Sequence, residues 1–183
     1  MGSPLLHCFD SDAEPLVWMR HMASGLPLAK AADRLRSLDI QLADHEGFSE
    51  ALSALDRGQP ATFDGVYGSG CALVTAGIAR HRKAEGKGPT VLVMADAELM
   101  DDLADDLQTF TVAAVSRFPP SQATNQREFA LDEAYGSRIR VLKQLLRGDS
   151  DPILVTCIQA LMQKSPSAET LLGTSKRFRI GDS

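Results

Sequence analysis

Phe63-Asp64-Gly65-Val66-Tyr67-Gly68-Ser69-Gly70-Cys71-Ala72-Leu73-Val74 reads as an apolar lead-in, a tight glycine loop and a helix running on through Ala76, Ile78, Ala79 and Arg80. That is the layout of a phosphate-binding loop, G-x-x-x-x-G-K-[ST], with Gly65 and Gly70 at the two glycine positions. The next two positions depart from it. Cys71 stands where the lysine belongs and Ala72 where the serine or threonine belongs. Glycines let such a loop turn its backbone N–H groups inward, and with the helix N-terminus these form an anion nest. The lysine supplies the charge facing the phosphates and the hydroxyl ligates Mg²⁺; a thiol and a methyl group do neither. Two readings follow for Gly65, Gly68, Ser69, Gly70 and Cys71: a vestigial loop kept for its shape, or a weak, altered anion site.

Working outward, the chain past this loop alternates strand-like and helix-like segments. A strand Ala61–Gly65 is expected to lead into the loop, followed by a helix Cys71–Arg82. Thr90-Val91-Leu92-Val93-Met94 is a continuous apolar run between Pro89 and Asp96. Such runs belong to strands buried on both faces of a parallel sheet. Glu98–Phe110 repeats apolar residues at Leu99, Leu103, Leu107 and Phe110, a helical stripe. A short strand Val112–Val115, a loop around Pro119, Pro120 and Ser121–Gln126, and a helix Ala134–Leu146 stopped by Gly148 come next. Pro152–Cys157 is a second doubly buried strand, Ile158–Gln163 a short helix, and Lys176–Ile180 the start of a final strand. The β-α alternation predicts an α/β fold with a mainly parallel sheet flanked by helices. Upstream, residues 1–22 read as an extended arm or a short helix, Leu26–Leu42 as an amphipathic helix and Ser49–Leu55 as a second helix. The expected organisation is a helical extension over 1–60, an α/β domain over 61–175, and the start of a further module over 176–183.

Composition narrows the function classes. The 183 residues suffice for one domain with a core, and 44% hydrophobic with 23% charged content is that of a soluble globular protein. A formal net charge of −5 argues against a general grip on nucleic acid, which needs a basic face. Cys8, Cys71 and Cys157 are odd in number and scattered, which disfavours a disulfide framework or a zinc site and fits a reducing cytoplasm. No signal peptide or membrane-spanning run is read.

Few side chains offer chemistry. Asp96, beyond the Thr90–Met94 run, is the one candidate for an acidic Mg²⁺ ligand, and the ordinary reading of such an aspartate is a helix cap. Cys71 at a helix N-terminus could carry a lowered thiol pKa, but lacks a His or Asp nearby in sequence and otherwise fills the space of the lost lysine. Arg138 and Arg140 could meet a partner or a DNA phosphate, or lie on a solvated face. Asp101, Asp102, Asp105 and Asp106 form an acidic helix face. His7, His21, His45 and His81 have no ligand spacing. No catalytic residue, metal site or cofactor is expected.

The segments Phe63–Ala79, Val91-Leu92-Val93-Met94-Ala95-Asp96, Ser116-Arg117-Phe118-Pro119, Tyr135-Gly136-Ser137-Arg138-Ile139-Arg140-Val141-Leu142 and Ile153–Met162 follow one another in a known order. The series resembles the first, UvrB-like domain of the bacterial transcription-repair coupling factors, over about Phe48 to Ser183. The resemblance implies a helicase-like α/β fold that has lost ATP hydrolysis, serving as scaffold in nucleotide-excision repair. The ATP-driven motor would lie in other domains of the parent protein, which would also make any DNA contact. It places a UvrA-binding module beyond Lys176–Ser183, so UvrA would be met only through that module. The chain departs from the family at Pro120-Ser121-Gln122-Ala123, where a tryptophan and acidic residues are usual. The rival reading is a P-loop nucleotide-binding protein, an ATP-binding helicase or NTPase fragment with an unorthodox loop.

Overall fold

A computed structural model describes residues 28–122, 132–148 and 150–173. The expected arm over 1–22, the end of the polar loop over 123–126 and the strand Lys176–Ile180 lie outside them. The chain divides into two units, Met1–Arg34 and Leu35–Ser183. Helix α1, Leu28–Arg36, crosses the boundary: its residues up to Arg34 are in the first unit, and Leu35 and Arg36 are in the second.

The second unit continues with α2, Leu38–Ala43, and α3, Glu46–Asp56. The single helix expected over Leu26–Leu42 is therefore two helices, with Ser37 in a turn between them. Its apolar spacing does not set the burial: Leu35 is 38% exposed while Asp39 is 5% exposed. Asp39 turns inward to Arg80 of α4, Ser69–Ala84: its Oδ2 forms an ion pair with Nε at 3.2 Å, and its backbone carbonyl accepts from Nη2 at 3.1 Å. Phe48 of α3 packs at Gly77 of α4, where a Cβ would stand 2.8 Å from Phe48 Cζ. Glycine is what allows that close helix approach.

The segment Ala61–Gly65 is not a strand. Pro60 and the turn at Asp64-Gly65 leave too little chain for a ladder, and Phe63 packs against Phe48 with ring centroids 5.7 Å apart and planes tilted by 41°. Among the described residues the sheet has three parallel strands in the order β1-β3-β2: β1 Thr90–Met94, β2 Val115–Phe118 and β3 Ile153–Cys157. Thr90 and Val115 both pair with Ile153, and the pairing runs to Met94–Cys157 on one side and Phe118–Thr156 on the other. The strand expected at Val112–Val115 starts three residues later. Thr111 Oγ1 accepts from the Ala113 N–H at 3.0 Å and turns that stretch outward.

Helix α5, Ala97–Phe110, joins β1 to β2, and α6, Glu133–Arg147, precedes β3. Two short helices follow, α7 Ile158–Met162 and α8 Ala168–Gly173. Helix α8 was not anticipated, although Ser167 caps it by accepting from Thr170 N–H at 3.2 Å. The core joins Ala72 and Ala76 of α4 and Met100, Leu103, Ala104 and Leu107 of α5 to Ile153, Val155 and Cys157. All five residues of β3 are buried, as its apolar run predicts. Strand β1 departs from that expectation: Val91 is 51% and Val93 44% exposed. It lies at a sheet edge, and α6 packs on β2 rather than over β1. No helix among the described residues is long and apolar enough to cross a membrane.

Candidate functional site

The structure gathers the glycine loop at the start of α4. Gly65 and Gly68 have φ of 75° and 52°. At Gly68 ψ is −132°, backbone that a side chain would strain. The loop therefore has the glycine-dependent turn that the sequence suggests. Two of its backbone donors are already bonded. Gly70 N–H donates to Tyr67 O and Cys71 N–H to Gly68 O, each at 3.0 Å. The Cys71 thiol donates to Val66 O at 3.5 Å. These bonds close the loop on itself.

Two further features bear on its anion chemistry. Ser69 Oγ donates to Asp106 Oδ2 of α5 at 2.6 Å, which places a carboxylate beside the helix N-terminus. An anion arriving there meets like charge instead of the favourable end of the helix dipole alone. Ala72, at the position of the Mg²⁺-binding hydroxyl, has no exposed surface and packs in the core. Tyr67 projects outward at 83% exposure.

The other candidates fall apart spatially and chemically. Asp96 is the N-cap of α5, accepting from Leu99 N–H at 2.9 Å. Cys157 is fully buried at the end of β3. The acidic face of α5 is partly paired: Arg117 reaches Asp101 at 3.3 Å and Asp105 at 2.6 Å. His81 bonds Asp56 at 2.9 Å, and Lys87 bonds the other oxygen of the same carboxylate. Those two partners, Lys87 first and His81 next, hold the Asp56 carboxyl below the usual aspartate range. No group of His, Cys, Asp or Glu among the described residues could hold a metal ion.

Arg138 is neither on a solvated face nor offered to a partner. It is 2% exposed, with its guanidinium carbon 4.1 Å from the centre of the Phe118 ring. It donates to Pro119 O at 3.0 Å, Ala160 O at 3.1 Å and Ser165 Oγ at 3.0 Å. Desolvation lowers its pKa. The residue ties α6 to the chain after β2 and to α7. Arg140 is exposed. Sequence reading missed both this role and the inward turn of Asp39, because each depends on partners far along the chain.

Comparisons with protein families, with characterised proteins and with solved structures found no match.

Proposed function

We propose that this chain is a non-catalytic scaffold and interaction domain, of the UvrB-like kind that opens the bacterial transcription-repair coupling factors. The observation that carries the loss of catalysis is the loop before α4. Its Gly70 and Cys71 N–H groups are bonded within the loop, and Ala72 faces the core where an NTPase needs a hydroxyl. The ordered segments quoted above carry the family likeness, and a small parallel α/β sheet with a glycine turn ahead of α4 is compatible with it. In this reading the domain holds a neighbouring UvrA-binding module and packs against other parts of its parent protein. The motor and any DNA contact belong to those other parts.

Two experiments test the reading. Titration calorimetry of the 183-residue chain with ATP and Mg²⁺ is expected to give no binding heat. A low-micromolar dissociation constant, about −8 kcal/mol, would overturn the claim and promote the nucleotide-binding alternative. Pull-down with UvrA is expected to fail for this chain and to succeed for one extended through the next module. Binding by the short chain would move the partner surface into this domain; failure of both would remove the repair assignment.

A further inference from the structure

A cleft of about 390 Å³ is lined by Ala79, Arg80 and Lys83, near the C-terminal end of α4, whose N-terminus carries the glycine loop. Thr90 at the start of β1, Thr111–Ala113 ahead of β2 and Asp151 ahead of β3 also line it. Helices α2 and α4 form its wall. In parallel α/β sheets small-molecule chemistry gathers at the opposite, carboxyl ends of the strands.

Three features define what it would hold. Asp39 lines it with a side chain only 7% exposed, and one oxygen, Oδ2, is ion-paired with Arg80 Nε. The other, Oδ1, is buried without a hydrogen-bond partner. A buried carboxylate oxygen without a donor costs free energy that a donor would recover. The rim carries two apolar side chains held in solvent, Ile40 at 52% and Val112 at 88% exposure. Arg36 and Lys83 also line it, and neither has an ion pair among the described residues. Arg80 offsets the charge of Asp39. Against Asp151, the two free cations leave the cleft with a positive balance.

We propose that this cleft binds the carboxyl-terminal residue of a peptide with an apolar last side chain. The terminal carboxylate lies between Arg36 and Lys83, where each cation gives a charge-assisted bond. The N–H of the same residue donates to Asp39 Oδ1. Its side chain covers Ile40 and Val112 and removes them from water. One residue thus supplies the three complements that the cleft lacks. The site is independent of the glycine loop and of the functional reading built on it.

The test uses the full chain and two probes, acetyl-Ala-Ala-Leu with a free carboxylate and the same peptide as its C-terminal amide. Amide chemical shifts in ¹⁵N NMR spectra locate and quantify binding. The free acid is expected to shift the amides of Thr111–Ala113 and of Arg80–Lys83. The amide form is expected to bind at least about tenfold more weakly, because the charge behind both contacts, to Arg36 and to Lys83, is lost. Arg36→Ala and Lys83→Ala remove exposed side chains, leave the fold intact, and are expected to weaken the acid without affecting the amide. Val112→Ser is expected to weaken both. No shift at millimolar peptide, equal affinity for acid and amide, or shifts clustered elsewhere would each overturn the proposal. So would a crystal structure grown with the peptide in which Asp39 Oδ1 holds only an ordered water.

Discussion

Ser69 Oγ and Asp106 Oδ2, 37 positions apart in sequence, lie 2.6 Å from one another and join the first residue of α4 to the outer face of α5. The bond is exposed, so its contribution to stability is small, while its effect on local charge is direct. Asp106→Ala is expected to change folding stability by less than about 1 kcal/mol in urea titration. The variant is still expected to show no ATP binding by calorimetry, because Gly70 and Cys71 keep their loop bonds. ATP binding by the variant would mean that the carboxylate, not the closed loop, is what excludes phosphate.

The double change Cys71→Lys with Ala72→Thr rebuilds the missing motif letters. It is expected to fail. Ala72 has no exposed surface, and the extra atoms of threonine have to displace core neighbours. Overpacking of this kind costs about 1–3 kcal/mol. Urea denaturation should show that loss, and calorimetry should show no nucleotide binding. A stable double variant that binds ATP would reveal a loop readier to reopen than its hydrogen bonds indicate.

Two glycines in helices make an internally controlled pair. At Gly77 an added Cβ would stand 2.8 Å from Phe48 Cζ and 3.4 Å from Leu42 Cδ2, whereas at Gly136 it would meet nothing within 4 Å. Gly77→Ala is expected to destabilise by about 1–3 kcal/mol through steric displacement of α3. Gly136→Ala is expected to stabilise by about 0.5–1 kcal/mol, the ordinary helix gain over glycine. Midpoints of thermal unfolding should move in opposite directions. A stabilising Gly77→Ala would show that α3 does not pack on α4 as described.

Arg138 is expected to be among the most sensitive positions. Arg138→Ala removes donors to Pro119 O, Ala160 O and Ser165 Oγ and uncovers the Phe118 ring. Stranding buried acceptors and emptying the site should together cost about 3 kcal/mol or more. Arg138→Lys is expected to rescue little, since an ammonium has no planar fork to span the three acceptors. Near-wild-type stability of either variant, measured in urea, would contradict this.

Asp56 gives a pH dependence with a defined sign. Its folded pKa lies below the ordinary 3.8, because Lys87 and then His81 favour the ionised form. A depressed carboxylate pKa adds stability above the unfolded value, and that stability is lost as the pH falls through the folded value. Wild type should therefore exceed Asp56→Asn in stability at neutral pH. The gap should narrow as the pH drops below the ordinary aspartate range. Parallel curves down to strongly acid pH would show that the carboxylate has no net favourable partner.

The elements legible in sequence were those whose signal is local. The apolar run of β3 and the cap at Asp96 are each read from a few consecutive residues and lie where expected. The stripe of α5 holds at Leu103 and Leu107 but is turned at its start, where Met100 is buried and Leu99 is 47% exposed. Ala61–Gly65 misled because an aromatic lead-in before glycines imitates a strand, while Pro60 and the Phe48 contact decide its path. Strand β2 slipped because the Thr111 side-chain turn competes with the ladder. At the candidate site, the glycines and the substituted pair at Cys71 and Ala72 were visible in sequence. The arrival of Asp106 was not, nor was the burial of Asp39 and Arg138. Charged side chains go inward only when partners meet them, and here Arg80 lies 41 positions from Asp39.

The inward packing of Ala72 also bears on ancestry. If the loop descends from a working phosphate site, its decay is guarded by a ratchet. Restoring the hydroxyl alone crowds a core position, while restoring the lysine alone meets a loop whose Gly70 and Cys71 N–H groups already bond its own carbonyls. Neither step offers selection anything to keep. Lineages carrying this alanine can drift in loop sequence, yet the path back to a nucleotide enzyme runs through less stable intermediates.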